Sequence, residues 1–163
     1  QTETFSAVDM PYGDSIYSMS VIVPKDGYTV SDVIPELTTE NWNVWVNQFE
    51  PAEIQVGLPK FELKYEKKLN DILKDLGMGI AFTDSADFSN MSPGGGLKIS
   101  EVRHKSFIEV DEKGAEAAAV TVVVIVETSV PPGVFANKPF LFVIRENVTN
   151  SVLFIGKMMN PNA

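Results

Sequence analysis

Enzymatic chemistry would need groups that this sequence barely carries. His104 is its single histidine, set in "ISEVRHKSFIEV", and there is no cysteine. Lack of Cys removes a thiol nucleophile, a thiolate metal site and a disulfide framework. His104 could serve a serine as base, but no G-x-S-x-G elbow accompanies it. A zinc ion would need His104 plus carboxylates, and no ligand spacing supports that. Strand alternation puts His104 in phase with Val102, Ser106 and Ile108, which favours a core or hydrogen-bonded residue over a base. "PGGG" at Pro93 to Gly96 lacks the Lys-Ser/Thr that completes a phosphate loop, so it reads as a turn. The 22 Asp and Glu residues are scattered and read as a solvated face. The expectation is a protein that is no enzyme, with no metal and no cofactor.

Charge narrows the partners. A net charge of −9 argues against nucleic acid and against an anionic membrane as main partners. The longest apolar run, Ala117 to Val126, is broken by Thr121 and falls well short of the roughly 18 residues a spanning helix needs. With 44% hydrophobic and 21% charged residues, the composition is globular rather than disordered. The first residue is Gln rather than Met, which suggests a processed chain or a piece of a longer one. "NMS" at Asn90 and "NVT" at Asn147 match the glycosylation acceptor triplet.

The patterning is mostly β with three helical segments. Thr4 to Tyr12 and Ile16 to Pro24 read as a strand pair around "YGDS", with Met19, Val21 and Val23 on one face. Ser31 to Leu37 reads as a short helical turn limited by Pro35. Thr38 or Thr39 can cap a helix running to Phe49, with Trp42, Trp45, Val46 and Phe49 at helical spacing. Ile54 to Leu58 and Phe61 to Tyr65 read as strands about Pro59. Lys68 to Leu76 reads as an amphipathic helix whose face is Leu69, Ile72, Leu73 and Leu76, stopped by Gly77. Thr83 to Gly96 is loop, Leu97 to Val110 a long strand, and Phe140 to Ile144 and Val152 to Met158 strands joined by "RENVTNS".

One stretch, Glu112 to Gly133, gives contrary instructions. Gly114 to Ala119 is small and Ala-rich, which suits a helix or a flexible tether. Val120 to Val126 is a β-branched run that suits a buried strand. Pro131 and Pro132 then forbid any central strand to continue.

The neighbours of this stretch stand in a recognisable order. "LPKFEL", "LNDILKDLGM", "AFTDSADFSNMS", "LKISEVRHKSFIEVDEKGAEAAA", "NKPFLFVIREN" and "VLFIGKMMNP" follow one another along the chain. Each resembles a segment of the serpins, the serine protease inhibitor family, and together they cover nearly the whole chain. The resemblance implies an α+β fold. Residues 1–163 would be the C-terminal part of one serpin domain, mostly antiparallel sheets with a few helices. Residues 112–133 would be the reactive-centre loop, exposed or inserted.

In inhibitory serpins a protease cuts this loop as substrate, and the cut loop enters the main sheet as a strand before the acyl-enzyme hydrolyses. The resemblance therefore implies suicide inhibition of a serine endopeptidase. Glu112 and Gly114 match the hinge start, and Ala115, Ala117, Ala118 and Ala119 continue it with side chains small enough to enter a packed sheet. Ala115 stands where the family most often has Thr or Ser. Family spacing places the scissile bond at Thr128–Ser129. His104 matches the histidine of the shutter region, and Lys60 matches the lysine that pairs with the hinge glutamate, here Glu112.

Target and setting follow as expectations. Small, β-branched Val126 and Thr128 suit the shallow apolar pocket of an elastase-like or subtilisin-like protease. A glutamate-specific protease would cut at Glu127–Thr128, and a register slip would move the cut to Val126–Glu127. The expected location is extracellular or secreted, with periplasm, cell envelope and cytoplasm as alternatives. The match leaves the N-terminal helices and the central strands of a serpin outside this chain. The chain by itself is then expected to be incompetent, and either to associate with the missing part or to self-associate through bare strand edges. The other readings are a non-inhibitory serpin and a β-rich binding or structural fragment.

Overall fold

A computed structural model describes residues 2–111 and 133–161. They fall into two compact units, residues 2–61 with 110–111 and 133–161, and residues 62–109.

The first unit is built on a four-stranded antiparallel sheet in the order β1-β2-β7-β8. β1 (Phe5–Pro11) and β2 (Tyr17–Pro24) are the expected hairpin, and β7 (Phe140–Glu146) and β8 (Val152–Met158) come from the far end of the sequence. Met19, Val21 and Val23 do share a face. The alternate residues Ser18, Ser20 and Ile22 are buried as well, because β2 is a central strand.

One face is covered by helices. α1 (Val30–Val33) runs into a 3-10 turn at Ile34–Glu36, where Pro35 prevents a longer α-helix. The side chain of Asp32 accepts from the Thr29 backbone N–H at 2.8 Å and its hydroxyl at 2.7 Å, fixing the start. α2 (Thr39–Val46) is capped by Thr38, whose Oγ1 accepts from the Asn41 N–H at 3.2 Å. It stops at Val46 rather than Phe49. There the Asn47 side chain takes the Asn43 carbonyl at 2.8 Å and the chain tightens into three-residue turns. Val30, Val33 and Trp42 pack on Phe5, Ile22, Leu141 and Val143 to form the core, and Trp45 meets the Phe5 ring edge-on at 4.8 Å.

A polar line crosses this same face. Asp9 lies opposite Ser20, and Ser18 opposite Arg145. Arg145, only 6% exposed, donates to Asp9 Oδ2 at 2.8 Å and to Asn150 Oδ1 at 2.9 Å. Ser20 Oγ donates to the other Asp9 oxygen at 2.5 Å. Desolvating a guanidinium is costly unless it is paired, and here a carboxylate and a side-chain amide pair its two terminal nitrogens while Nε is buried without a partner. A short parallel pair completes the unit: β3 (Gln55–Gly57) beside β6 (Gly133–Phe135).

The second unit holds all but the end residues Phe61 and Val110 of a strand pair, β4 (Phe61–Lys68) and β5 (Arg103–Val110). Both differ from expectation. β4 runs past Tyr65 to Lys68, so the helix expected over Lys68–Leu76 is α-helical only as α3 (Asn70–Leu73). A wider turn follows at Lys74–Met78, closed by Gly77 at φ 97°, a left-handed conformation that suits glycine. Of the expected apolar face, Ile72 and Leu76 are exposed. β5 begins at Arg103, not Leu97, because the backbone before it is bonded elsewhere. Ile99 N–H donates to Ala81, and Val102 C=O accepts from Leu69 N–H, each at 2.9 Å. Buried Asn70 takes the Ser100 carbonyl at 3.0 Å and the Val102 N–H at 2.8 Å.

The Arg145–Asp9 pair is expected to behave as a buried one. Asp9→Ala should cost roughly 3–5 kcal/mol of stability by stranding the guanidinium, and pairing it with Arg145→Met should recover most of that loss. Denaturant unfolding of the two variants checks this. A cost for Asp9→Ala below about 1 kcal/mol, the range of exposed pairs, would refute it.

Candidate functional site

The hinge and reactive-bond residues Glu112, Gly114, Ala115, Ala117, Ala118, Ala119, Thr128 and Ser129 lie outside the described residues, as does the expected Lys60–Glu112 pair. The footings of the loop are described. On one side it follows β5; on the other it leads into β6.

β5 and β4 present two unlike faces. On one, Glu66 Oε1 accepts from Arg103 at 2.9 Å while its second oxygen pairs with Lys105 at 3.1 Å. Glu101 pairs with Arg103 and, at 3.0 Å, with Lys68. Lys64 lies 5.7 Å over the Phe107 ring. Alternating charge on paired strands places opposite signs across the ladder, so this face is laced by ion pairs in water. The hydrogen bond from Arg103, then that from Lys105, holds the Glu66 carboxyl below the usual glutamate range. Arg103 and then Lys68 do the same for Glu101.

The other face carries Leu63, Tyr65, His104, Ser106 and Ile108. Leu63, Val102, Ser106 and Ile108 are half-buried, which bears out the alternation expected for this strand. His104 itself is exposed, so of the two expected roles, core or hydrogen-bonded, the structure does not show the core one. Its ring meets Tyr65 edge-on at 6.2 Å, and Tyr65 is also half exposed. An aromatic contact at the surface is what this histidine makes, because no covering element lies over that end of the strand pair within the unit. Lys60 is exposed and stands immediately before β4.

In the first unit β6 is the loop's far footing. Val134 is buried at 6% and Ala136 at 2%, while the Phe135 ring lies flat against Gly57 and Gly133. A Cβ added at either glycine would sit 2.7 Å from that ring, and at Gly133 it would also meet the Gln55 carbonyl oxygen at 3.0 Å, so a side chain at either position would displace the Phe135 ring. Ala136 N–H donates to Gly57 C=O at 2.7 Å and extends the pairing. These contacts anchor the chain just beyond Pro131 and Pro132.

Sequence reasoning missed two organising residues. Arg145 in "FLFVIRE" is a cation inside an apolar strand, a signal that a carboxylate partner must be buried nearby. Asn70 carried no such signal, since one polar residue at a helix start reads as a surface residue. Among the described residues no group of three His, Asp or Glu could hold a metal ion.

A family model described as "Serpin (serine protease inhibitor)" matches residues 1–161. A leukocyte elastase inhibitor of Xenopus tropicalis is 39% identical over 160 residues, covering 94% of this chain and 42% of its own. Serpin B4 of Homo sapiens is 38% identical over 159 residues, with 94% and 41% covered. The native state of the thermophilic serpin tengpin superposes with a TM-score of 0.77 at 38% identity, covering 98% of this chain and 43% of that one. The chain thus spans about two fifths of the length of the curated relatives it matches.

The β4–β5 ladder should weaken on acidification. Glu66 and Glu101 titrate lower in the folded state than in the unfolded chain. Their contribution is therefore complete above the ordinary glutamate value of about 4.3 and fades as pH falls through and below it. Amide exchange in β4 and β5, corrected for its intrinsic pH dependence, should keep its protection above about pH 4.3 and lose it as the pH falls further. Glu66→Gln should flatten that response. An unchanged response would show that the ion pairs do not hold the ladder.

Proposed function

This chain belongs to the serpin family, and from that premise we propose that the whole protein inhibits a serine endopeptidase as a suicide substrate. The observation that carries the proposal is the run Glu112 to Ala119, a Gly- and Ala-rich stretch one residue beyond β5. Among the described strands β5 pairs only with β4, and its other edge is the one proposed to receive the incoming strand.

The chemistry is that of an interrupted hydrolysis. The protease serine oxygen attacks the Thr128 carbonyl carbon, and the bond to Ser129 N breaks. Ser129 leaves as an amine, taking a proton from the protease base, and Thr128 remains as an acyl ester on the protease. Water would normally cleave that ester. Insertion of residues from Gly114 onward beside β5 draws the ester away from its site first. Small hinge side chains let insertion start without overpacking, and Val120 to Val126 supply a good central strand once it proceeds. Pro131 and Pro132 lie beyond the cut and never enter the sheet. His104 and Lys60 act as sheet residues near the insertion path, and no residue of this chain acts as a catalyst.

Val126 and Thr128 favour an elastase-like or subtilisin-like protease, and the similarity to a leukocyte elastase inhibitor of Xenopus tropicalis supports that choice. The rest of the serpin domain is the proposed cover for β8, whose Val152, Leu153, Phe154 and Ile155 are between 44% and 59% exposed. Without that cover, this portion is expected to self-associate and not to inhibit.

Two measurements test the reading on the whole protein. Mixed with an elastase-type protease, it should form an SDS-stable complex and release a C-terminal peptide whose first residue is Ser129. A peptide beginning at Thr128 would point to a glutamate-specific protease. Clean cleavage with no complex would overturn inhibition in favour of a non-inhibitory serpin.

Ala117→Arg should convert the inhibitor into a substrate, because a charge entering a packed sheet is buried unpaired. The ratio of cleaved to trapped inhibitor should rise roughly tenfold or more, a barrier change of about 1.4 kcal/mol. Wild-type stoichiometry in this variant would refute insertion of the segment.

A further inference from the structure

Two acceptor triplets, Asn90-Met91-Ser92 and Asn147-Val148-Thr149, are used by nothing in the inhibitory chemistry. Their surroundings differ sharply. Asn90 is exposed in a turn of the second unit, beside Met91 at 78% exposure. The turn is closed by backbone bonds on either side of it: Met91 N–H to Phe88 C=O at 2.9 Å and Ser92 N–H to the same carbonyl at 3.0 Å. Among the described residues, no hydrogen-bond partner occupies the Asn90 side-chain amide.

Asn147 is built into the fold. Its Nδ2 donates to the Ser15 carbonyl at 2.7 Å and to Ser18 Oγ at 2.8 Å, and Ser18 is 1% exposed. Its backbone N–H donates to Ile16 C=O at 2.8 Å, locking the residue against the β1–β2 turn. The Thr149 hydroxyl that would complete the triplet donates to Glu146 Oε2 at 2.6 Å. A glycosylated amide keeps a single N–H, so a glycan on Asn147 would break one of the two bonds. It would also force the sugar into space that the Ser15–Ser18 turn fills.

We propose that Asn90 is an N-glycosylation site of this protein when it passes through a secretory compartment, and that Asn147 stays unmodified in the folded molecule. In the transfer, Asn90 Nδ2 bonds to the anomeric carbon of an oligosaccharide carried on a lipid diphosphate. The sugar–phosphate C–O bond breaks, the lipid diphosphate leaves with the bonding pair, and the amide proton passes to a base of the transferase. Transfer takes place on extended chain, so both triplets meet the enzyme. Folding then decides, because a chain modified at Asn147 loses part of its β2–β7 junction while one modified at Asn90 loses nothing.

The test is the whole protein, directed into the secretory pathway of a glycosylating eukaryotic cell. The folded protein, from medium or from the cell's secretory membranes, is treated with peptide N-glycosidase and mapped by mass spectrometry. The expected result is a glycan at Asn90 and a bare Asn147. Asn90→Gln, and independently Ser92→Ala, should remove the glycosidase-sensitive shift, while Thr149→Ala should leave it unchanged. A bare Asn90 in the folded protein, or a glycan on its Asn147, would overturn the proposal. Neither outcome touches the inhibitory reading, since both triplets lie outside residues 112–133.

Discussion

The pairing of β2 with β7 is the constraint on which the first unit rests. It sets Tyr17 opposite Glu146 and Ile22 opposite Leu141, joining strands from the two ends of the sequence. Closing so long a loop carries an entropic cost that grows slowly with length but must still be offset by burial. Val21, Ile22, Phe140, Leu141, Phe142 and Val143, all at 3% exposure or less, supply it. The polar line through Asp9, Ser20 and Arg145 lies across this same pairing, so a one-residue slip would strand a guanidinium as well as expose a core. Register is thereby fixed twice, once by apolar area and once by charge.

Much of this unit was legible because its signals are local. The hairpin around "YGDS", the Pro35 limit, the Thr38 cap and the strands of "FLFVIRE" and "VLFIGKM" each follow from residues within a few positions. Where the reading failed, a distant group had intervened. Leu97 to Val102 has strand-like composition, yet Asn70, some thirty residues earlier, takes its backbone groups. "KYEKK" suits a helix start as well as a strand. Cross-strand pairs of Glu66 and Lys68 with Arg103 and Glu101 decide for the strand. Periodicity placed His104 on the right face but not at the right depth, because depth depends on what covers the face.

The candidate site was legible in another way. No composition or spacing rule identifies a hinge, since an Ala-rich run followed by a Val-rich run is locally contradictory. The order of several segments along the chain carried the family, and the match over residues 1–161 confirms that membership.

The construction of the second unit is compatible with the strand insertion proposed above. Its sheet has one face held by ion pairs in water and one face that carries Leu63, Ser106 and Ile108. Exposed ion pairs reward a particular side-chain arrangement on β4 and β5 but make no demand on the far edge of β5. A strand added there would gain backbone hydrogen bonds and leave the Glu66 and Glu101 ladder as it is. A sheet locked by interdigitated apolar side chains on both faces would need repacking to admit the same strand. The proposed insertion would then depend on the incoming segment, small where it enters and β-branched where it settles. That order, Gly114 to Ala119 and then Val120 to Val126, is the one this sequence has.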